Sequence, residues 1–478
     1  MNGAFKIELR DFREKITLGS VSILTLITAA AIWAGIDQEY GLIVLAGIVG
    51  ILLIYAFIKH PKFWLYFVAV FSGTYFVETK PGVSAYDVIT GIFLLGGLFL
   101  WLIWVIGVKK VRLFRNAADK ALLIFFLFAP LNAVIAIINE VTFLDWVREF
   151  GSYAMILYYF PIRYHIREKK EIITFLSCFS IAVLYCVFNQ FYAYNQRAIS
   201  MAVYAFELER SLRINQTLFT AATIFGMVFT LYTKKPILKT LLLIFTVLSF
   251  GALLVSFSRT FWVILIAVIL IMMFYIDKKS RIQIVTATIV IMGAIFGIVY
   301  FVFKENTAVI LKVAEKRLTS TTKGQKDESV QIRFSEYEKV FDGILNYPLA
   351  GNGLGKKISF FDPFGLYTIK TNIIHNGYLW FLFRFGIPAS LLIFFFYLYY
   401  LFKLEKLARK TEDKFTKTLY LSCFLLMLLM IISDFTSAQF MYRDGIFTTV
   451  IAIAFAEKFV NYNRKNNQIE LRNDKQSG

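Results

Sequence analysis

The sequence predicts an all-α polytopic membrane protein, and three observations predict it. Hydrophobic residues make up 58% of the 478 residues and aromatic residues 18%, with a mean hydropathy of +0.65. Apolar runs of roughly 18 residues or more recur along the whole chain, each long enough to cross a ~30 Å hydrocarbon core. The basic residues that give a net charge of +19 fall in short clusters between those runs. Such clusters are what cytoplasmic loops carry, so the charge points to membrane topology and away from nucleic acid. The cysteines Cys178, Cys186 and Cys423 lie within apolar runs and form neither a disulfide framework nor a metal-binding spacing.

Hydropathy places spans near 16–36, 41–59, 63–77, 88–108, 121–139, 149–162, 171–194, 217–233, 240–258, 261–276, 284–303, 378–402, 418–438 and 446–460. That makes about fourteen, or twelve if the short third and sixth do not cross. The first follows "MNGAFKIELRDFREK" and contains "TAAA"; with so many spans after it, it reads as an uncleaved helix. With the N-terminus in the cytoplasm, the inside connections are "KHPK", "KKVRLFRNAADK", "RYHIREKK", "KKPILK", "DKKSR" and "KLEKLARKTEDKFTK". The short outside connections "DQEY", "ETKPGVSAYD", "EVTFLDWVRE" and "YRDG" are poor in Lys and Arg. The alternation holds throughout and predicts both termini inside.

Two longer connections fall outside, 195–216 and 304–377. The chain thus divides into a transmembrane bundle (1–303), a large extracytoplasmic helical loop (304–377), C-terminal transmembrane helices (378–460) and a basic cytoplasmic tail (461–478). In "VQIRFSEYEKVFDGILNYP" the apolar Phe334, Tyr337, Val340, Phe341, Ile344 and Leu345 recur at helical spacing, predicting an amphipathic helix against the bundle or the lipid surface.

Few residues outside could do chemistry. Arg259 ends a span in "VSFSRTFW", with Ser256 and Ser258 before it; a lipid-facing helix gains nothing from that polar cluster, and a guanidinium binds phosphate bidentately. Arg333 opens the loop helix. Arg384, in "FLFRFGIPASLL", must face the bundle interior, pair, or snorkel outward. Arg148, Arg197, Arg210, Arg213 and Arg443 lie in other outside connections, and of these Arg197, Arg210 and Arg213 fit interfacial arginines reaching headgroups. His60 and His165 lie in basic loops and read as solvated. His375 lies outside at the mouth of a span and can serve as a cap or as a general base. The turn "GNGLG" (Gly351, Gly353, Gly355) lacks the context of a dinucleotide fingerprint; it reads equally as a phosphate cradle or as a plain turn after Pro348. Asp434, near the outer end of a late span, reads as structurally paired, with Arg443 as the candidate partner. No Asp-x-Asp pair, HExxH or GxSxG occurs in the chain, so no metal and no cofactor are implied.

Taken in order, "SFSRT", the loop Arg333 before "NYPLAGNGLG", and "HNGYLWFLFRFG" resemble the O-antigen ligase and polymerase family of bacterial surface-glycan enzymes. The resemblance spans roughly residues 250–390. It implies a fold similar to C-type glycosyltransferases in the bacterial cytoplasmic membrane, with an extracytoplasmic active site. It also implies metal-independent, inverting transfer of a glycan from a polyprenyl diphosphate carrier to an acceptor hydroxyl, either a lipid A core sugar, as in lipopolysaccharide biosynthesis, or another carrier-linked repeat. Carried over residue by residue, Arg259 and Arg333 with Ser258 would hold the diphosphate, and His375 would orient or deprotonate the acceptor hydroxyl. Ser256, Asn376, Arg384 and the three glycines would support the site. One departure stands out: the family commonly has Glu nine residues after the histidine, where this chain has Arg384. A lipid-linked oligosaccharide transporter is the alternative reading, although the paired halves with broken helices usual in transporters are not found. A non-catalytic scaffold would leave the polar constellation unexplained.

Overall fold

The computed structural model describes residues 57, 59–77, 91–200, 215–256, 258–302 and 328–456. The spans expected at 16–36 and 41–59, most of the connection 195–216 with Arg210 and Arg213, the side chain of Arg197, the start of the large loop and the tail 461–478 lie outside the described residues. The chain divides into two compact units, Met1–Val68 and Ala69–Gly478. Of the first, the described part is the beginning of helix α1 (Pro61–Phe76), led in by an exposed His60 whose carbonyl accepts from Phe63 N–H at 2.9 Å.

The second unit is helical, as the hydropathy predicts. Helix α2 (Gly97–Ile103) is flanked by π-helical turns at Ile92–Gly96 and Trp104–Val108. Then follow α3 (Ala117–Leu127), α4 (Ala129–Ile138), α5 (Phe143–Ala154), a 3₁₀ turn (Met155–Tyr158), α6 (Tyr159–His165), α7 (Lys169–Ser200), α8 (Gln216–Tyr232), α9 (Pro236–Val255), α10 (Arg259–Met272) and α11 (Lys278–Val302). The polar segment contributes α12 (Glu328–Asn346) and an antiparallel hairpin of β1 (Ile358–Asp362) and β2 (Tyr367–Thr371), in which Ile358 faces Thr371. Helix α13 (Gly377–Lys410), α14 (Lys414–Ser433) and helical residues 443–456 complete the described chain.

Among the described residues five helices are long and apolar enough to cross a membrane: Ala117–Ile138, Lys169–Gln196, Pro236–Val255, α13 and α14. Phe93–Val108, α8 and α10 are apolar but shorter. The protein is therefore an all-α, multi-pass membrane protein. The sixth expected span resolves into α5, the 3₁₀ turn and α6. The hairpin is a further difference: the large loop was expected to be helical, but alternation in "ISFFD", buried at Ile358, Phe360 and Asp362 and exposed at Ser359 and Phe361, fits one face of a strand against α12.

Packing centres on α13 and α14, with α8 wedged between α9 and α14. At the α8–α9 crossing a Cβ on Gly226 would overlap the Thr246 hydroxyl, so a small residue there lets the two helices approach. Four basic connections of the second unit meet at one end of its bundle. Asn116 donates to the Tyr400 hydroxyl at 3.1 Å, Lys169 lies over the Phe415 ring, and Arg409 lies over Tyr275. A buried ion pair, Arg163–Asp119 at 2.9 Å, is satisfied there by Tyr159, Tyr400 and the Leu113 carbonyl. His165 is not simply solvated as expected: its Nε2 accepts from Trp101 Nε1–H at 2.7 Å. The turn 351–355, the hairpin, His375 and Asp434 sit at the opposite end of α13 and α14.

Candidate functional site

Helix α13 is broken ten residues in, and that break organises the site. Gly386 has φ +74° and ψ 175°, a conformation open essentially to glycine alone, and Pro388 follows it. The break releases the carbonyls of Phe383 and Arg384 from helical bonding. The glycine turn supplies their donors: Asn352 N–H reaches Phe383 O at 2.7 Å and Gly353 N–H reaches Arg384 O at 3.1 Å. Ile387 N–H returns to Pro348 O at 2.7 Å. The turn thus docks into the kink, and close approach explains the positive-φ glycines. A Cβ at Gly351 would come within 2.5 Å of Arg384 O, and one at Gly353 within 2.6 Å of the Ala136 backbone.

This geometry decides between the two readings of "GNGLG". Every backbone N–H from 351 to 355 has an internal acceptor: Tyr347 O, Phe383 O, Arg384 O, Asn132 Oδ1 at 3.0 Å and Glu149 Oε2 at 2.8 Å. No N–H is left to cradle a phosphate, so Gly351, Gly353 and Gly355 are packing residues. Asn132, buried in apolar α4, is the hub: it accepts from Trp146 and Leu354 and donates to Arg384 O.

Arg384 is fully buried and neither snorkels nor faces open solvent. It pairs with Glu149 on α5 at 3.2 Å and donates to Asn372 O at 2.8 Å and to Lys356 O. Glu149 in turn accepts from Gly355 N–H and Asn372 Nδ2. The cation that stands where the family commonly has Glu therefore has its own counter-charge. It fastens the turn, α5 and the segment that leads from the hairpin to His375.

That segment delivers His375 to the mouth of α13, where the ring is half-exposed. Helix α12 holds it in three places. The buried Glu336 carboxylate accepts His375 N–H at 2.6 Å and meets ring Nδ1 at 2.6 Å, and the Tyr337 hydroxyl donates to His375 O at 3.2 Å. Nε2 makes no hydrogen bond among the described residues. Asn376 caps α13, its side chain accepting Leu379 N–H at 3.0 Å and donating to Phe435 O at 3.1 Å. Glu336 was not among the residues singled out from the sequence, although its signal is there. It lies on the stripe 336, 340, 344 with buried Val340 and Ile344, and a carboxylate in an apolar stripe needs a partner.

Arg333 sits one helical turn before Glu336 and, among the described residues, has no hydrogen bond or ion pair. Its guanidinium is near enough to Tyr337 to oppose the burial that raises that phenol's pKa. Ser258 and Arg259 lie at the α9–α10 turn. Ser258 is nearly buried, Arg259 is partly exposed at the first position of α10, and Ser256 Oγ returns to Leu253 O at 2.6 Å. Ser256 is thus a local helix-end residue.

Asp434 departs from expectation. Among the described residues it forms no ion pair with Arg443, which instead stacks on Tyr75 and donates to Tyr75 O and Ser152. One Asp434 oxygen accepts Phe440 N–H at 3.1 Å, while its backbone carbonyl accepts Gly377 N–H at 2.8 Å. The side chain lies so close to Gly377 that any Cβ there would collide with it. No group of three or more His, Cys, Asp or Glu that could hold a metal occurs among the described residues.

Residues 244–395 match the family model described as O-antigen ligase. This segment is similar to the O-antigen ligases. It runs from within α9 to the middle of α13 and so contains Arg259, Arg333, Glu336, the glycine turn, His375 and Arg384. Asn132, Glu149 and Asp434 come from outside the O-antigen ligase segment and support it from α4, α5 and the end of α14. No curated protein matches the chain.

Proposed function

We propose that the protein transfers a glycan from a polyprenyl diphosphate carrier to an acceptor hydroxyl at the outer face of the cytoplasmic membrane, with inversion and without a metal. The observation that carries this reading is the occurrence, within the O-antigen ligase segment, of a half-exposed imidazole together with an arginine that has no ion pair among the described residues, on the helix that holds the imidazole. His375 Nε2 takes the acceptor proton as the oxygen attacks the anomeric carbon. Arg333 and Arg259, with Ser258 beside it, bind the diphosphate, whose negative charge grows as the glycosidic bond breaks. Fixed guanidinium groups can stabilise that charge in a partly desolvated site. The gathering of basic connections at the far end of the bundle supports a cytoplasmic assignment for that end, which puts His375 outside. The polyprenyl chain stays in the bilayer beside the bundle.

The test is product analysis in proteoliposomes holding the purified protein and a labelled polyprenyl-diphosphate repeat unit, with or without lipid A core acceptor. Longer carrier-linked glycans formed without acceptor identify a polymerase, and label on the core lipid identifies a ligase. His375→Ala is expected to abolish either product. Labelled lipid crossing the bilayer with neither product formed by the wild type overturns the proposal and leaves a transporter.

A further inference from the structure

We propose that Glu336 is the positioning residue of the reaction, fixing the tautomer of His375 so that Nε2 is the proton acceptor. The inference rests on the transfer reading above, and it deepens the account of the same site. An ionised carboxylate can only accept hydrogen bonds. One Glu336 oxygen is occupied by His375 N–H and the other lies 2.6 Å from Nδ1, so the neutral ring must carry its proton on Nδ1. Nε2 is then a free lone pair on the half-exposed side of the ring. Because the same side chain holds the backbone and the ring, the imidazole is fixed in both place and rotation.

The carboxylate has no exposed surface, and its withdrawal from water needs a reason. A solvated imidazole would make no such demand, since it exchanges tautomers freely. Burial of Glu336 beneath an open His375 is the arrangement by which a buried acid orients a base and then stabilises the imidazolium formed on proton transfer. Helix α12 also carries Arg333 one turn earlier. The group that binds the donor and the group that aligns the base therefore move as one rigid body, and donor binding at Arg333 sets the helix that orients His375.

Glu336→Gln separates positioning from folding. Its amide oxygen still accepts His375 N–H, but its NH₂ faces Nδ1 and can only donate. The proton is driven to Nε2, and the base is blocked with little change in shape. The expected result is a fall in kcat of roughly 10²- to 10⁴-fold, the scale of a general base, with donor KM little changed. A readout independent of turnover is the ¹⁵N spectrum of histidine-labelled protein in liposomes. The chain has only three histidines, and the His375 signals are assigned by their loss in His375→Ala. Wild type is expected to show protonated Nδ1 and unprotonated Nε2, with the two exchanged in Glu336→Gln. The same tautomer in both proteins, or a wild-type ring protonated on both nitrogens at the assay pH, overturns the inference. If His375→Ala is inactive while Glu336→Gln transfers at the wild-type rate, the inference fails and the transfer reading stands. If His375→Ala still transfers, the reading beneath it fails.

Discussion

Truncating Arg384 to alanine removes a buried cation that touches three acceptors. Lys356 O and Asn372 O lose their donors, while Glu149 keeps Gly355 N–H and Asn372 Nδ2. Breaking a buried pair from one side costs about 3–5 kcal/mol. The entropy of unfolding scales with chain length, so at this size that corresponds to a fall in Tm of about 5 °C. The damage should begin locally, because the partners of Arg384 are the turn and the segment just before His375. Hydrogen exchange in detergent or nanodisc should therefore accelerate first at the amides of Gly353 and Gly355. Glu149→Gln retains an acceptor for Gly355 N–H but strands the cation. The double variant Arg384→Ala/Glu149→Gln should then be less destabilised than the two singles together by about 0.5–3 kcal/mol. Transfer activity should fall in Arg384→Ala in step with the loss of exchange protection. An Arg384→Ala protein with unchanged Tm and exchange but no turnover would refute this reasoning and place the guanidinium on the substrate.

Other expectations follow from the same contacts. Gly386→Ala places a Cβ 2.5 Å from Leu349 O in a conformation alanine rarely adopts, and should cost about 2–4 kcal/mol in thermal unfolding; an unchanged Tm contradicts it. Asp413 caps α14, and its hydrogen bonds from the Thr416 side chain and N–H hold its carboxyl below the usual range. A depressed folded-state pKa contributes stability above the unfolded value of about 3.9 and loses it as pH falls through the folded value. Asp413→Ala should therefore cost about 1 kcal/mol at neutral pH, with the gap to wild type closing in acid, as Tm against pH will show. Arg333→Lys keeps the charge but loses the bidentate fork, and should raise the donor KM about tenfold with the fold intact; an unaltered donor dependence removes Arg333 from the diphosphate site.

The helices were legible because lipid imposes a one-dimensional rule: a span must be long and apolar, and hydropathy reads that directly. The expected spans 171–194, 240–258, 378–402 and 418–438 fall on α7, α9, α13 and α14 with ends shifted by several residues. The hairpin was missed because its alternation is short and sits in a polar stretch where helix and strand periods are hard to separate. His375 was legible through its position at a span mouth. Its partner was not, because Glu336 and His375 are distant in sequence and the contact exists only once α12 lies against the mouth of α13. Glu149 and Asn132 were invisible for the same reason, as each acts on the turn from more than two hundred residues away.

What separates holding residues from working residues here is whether their polar atoms are already occupied. Gly351, Gly353, Gly355, Asn376 and Arg384 were all candidates for supporting the site; the turn N–H groups, the Asn376 amide and both terminal nitrogens of Arg384 are engaged with the protein's own groups, while the buried Arg384 Nε has no partner among the described residues. His375 Nε2 and the Arg333 guanidinium are different: Arg333 lies one turn from the Glu336 that holds His375, and among the described residues neither group meets an internal hydrogen-bonding partner. A buried polar group without a partner is costly, but a partly exposed one keeps water until a ligand replaces it. The chain thus commits its glycine turn and its buried cation to fixing a kink in α13, and the segment they fasten leads to the half-exposed imidazole of His375. At the Arg384 departure the reversed charge is answered within the protein, by Glu149 at 3.2 Å.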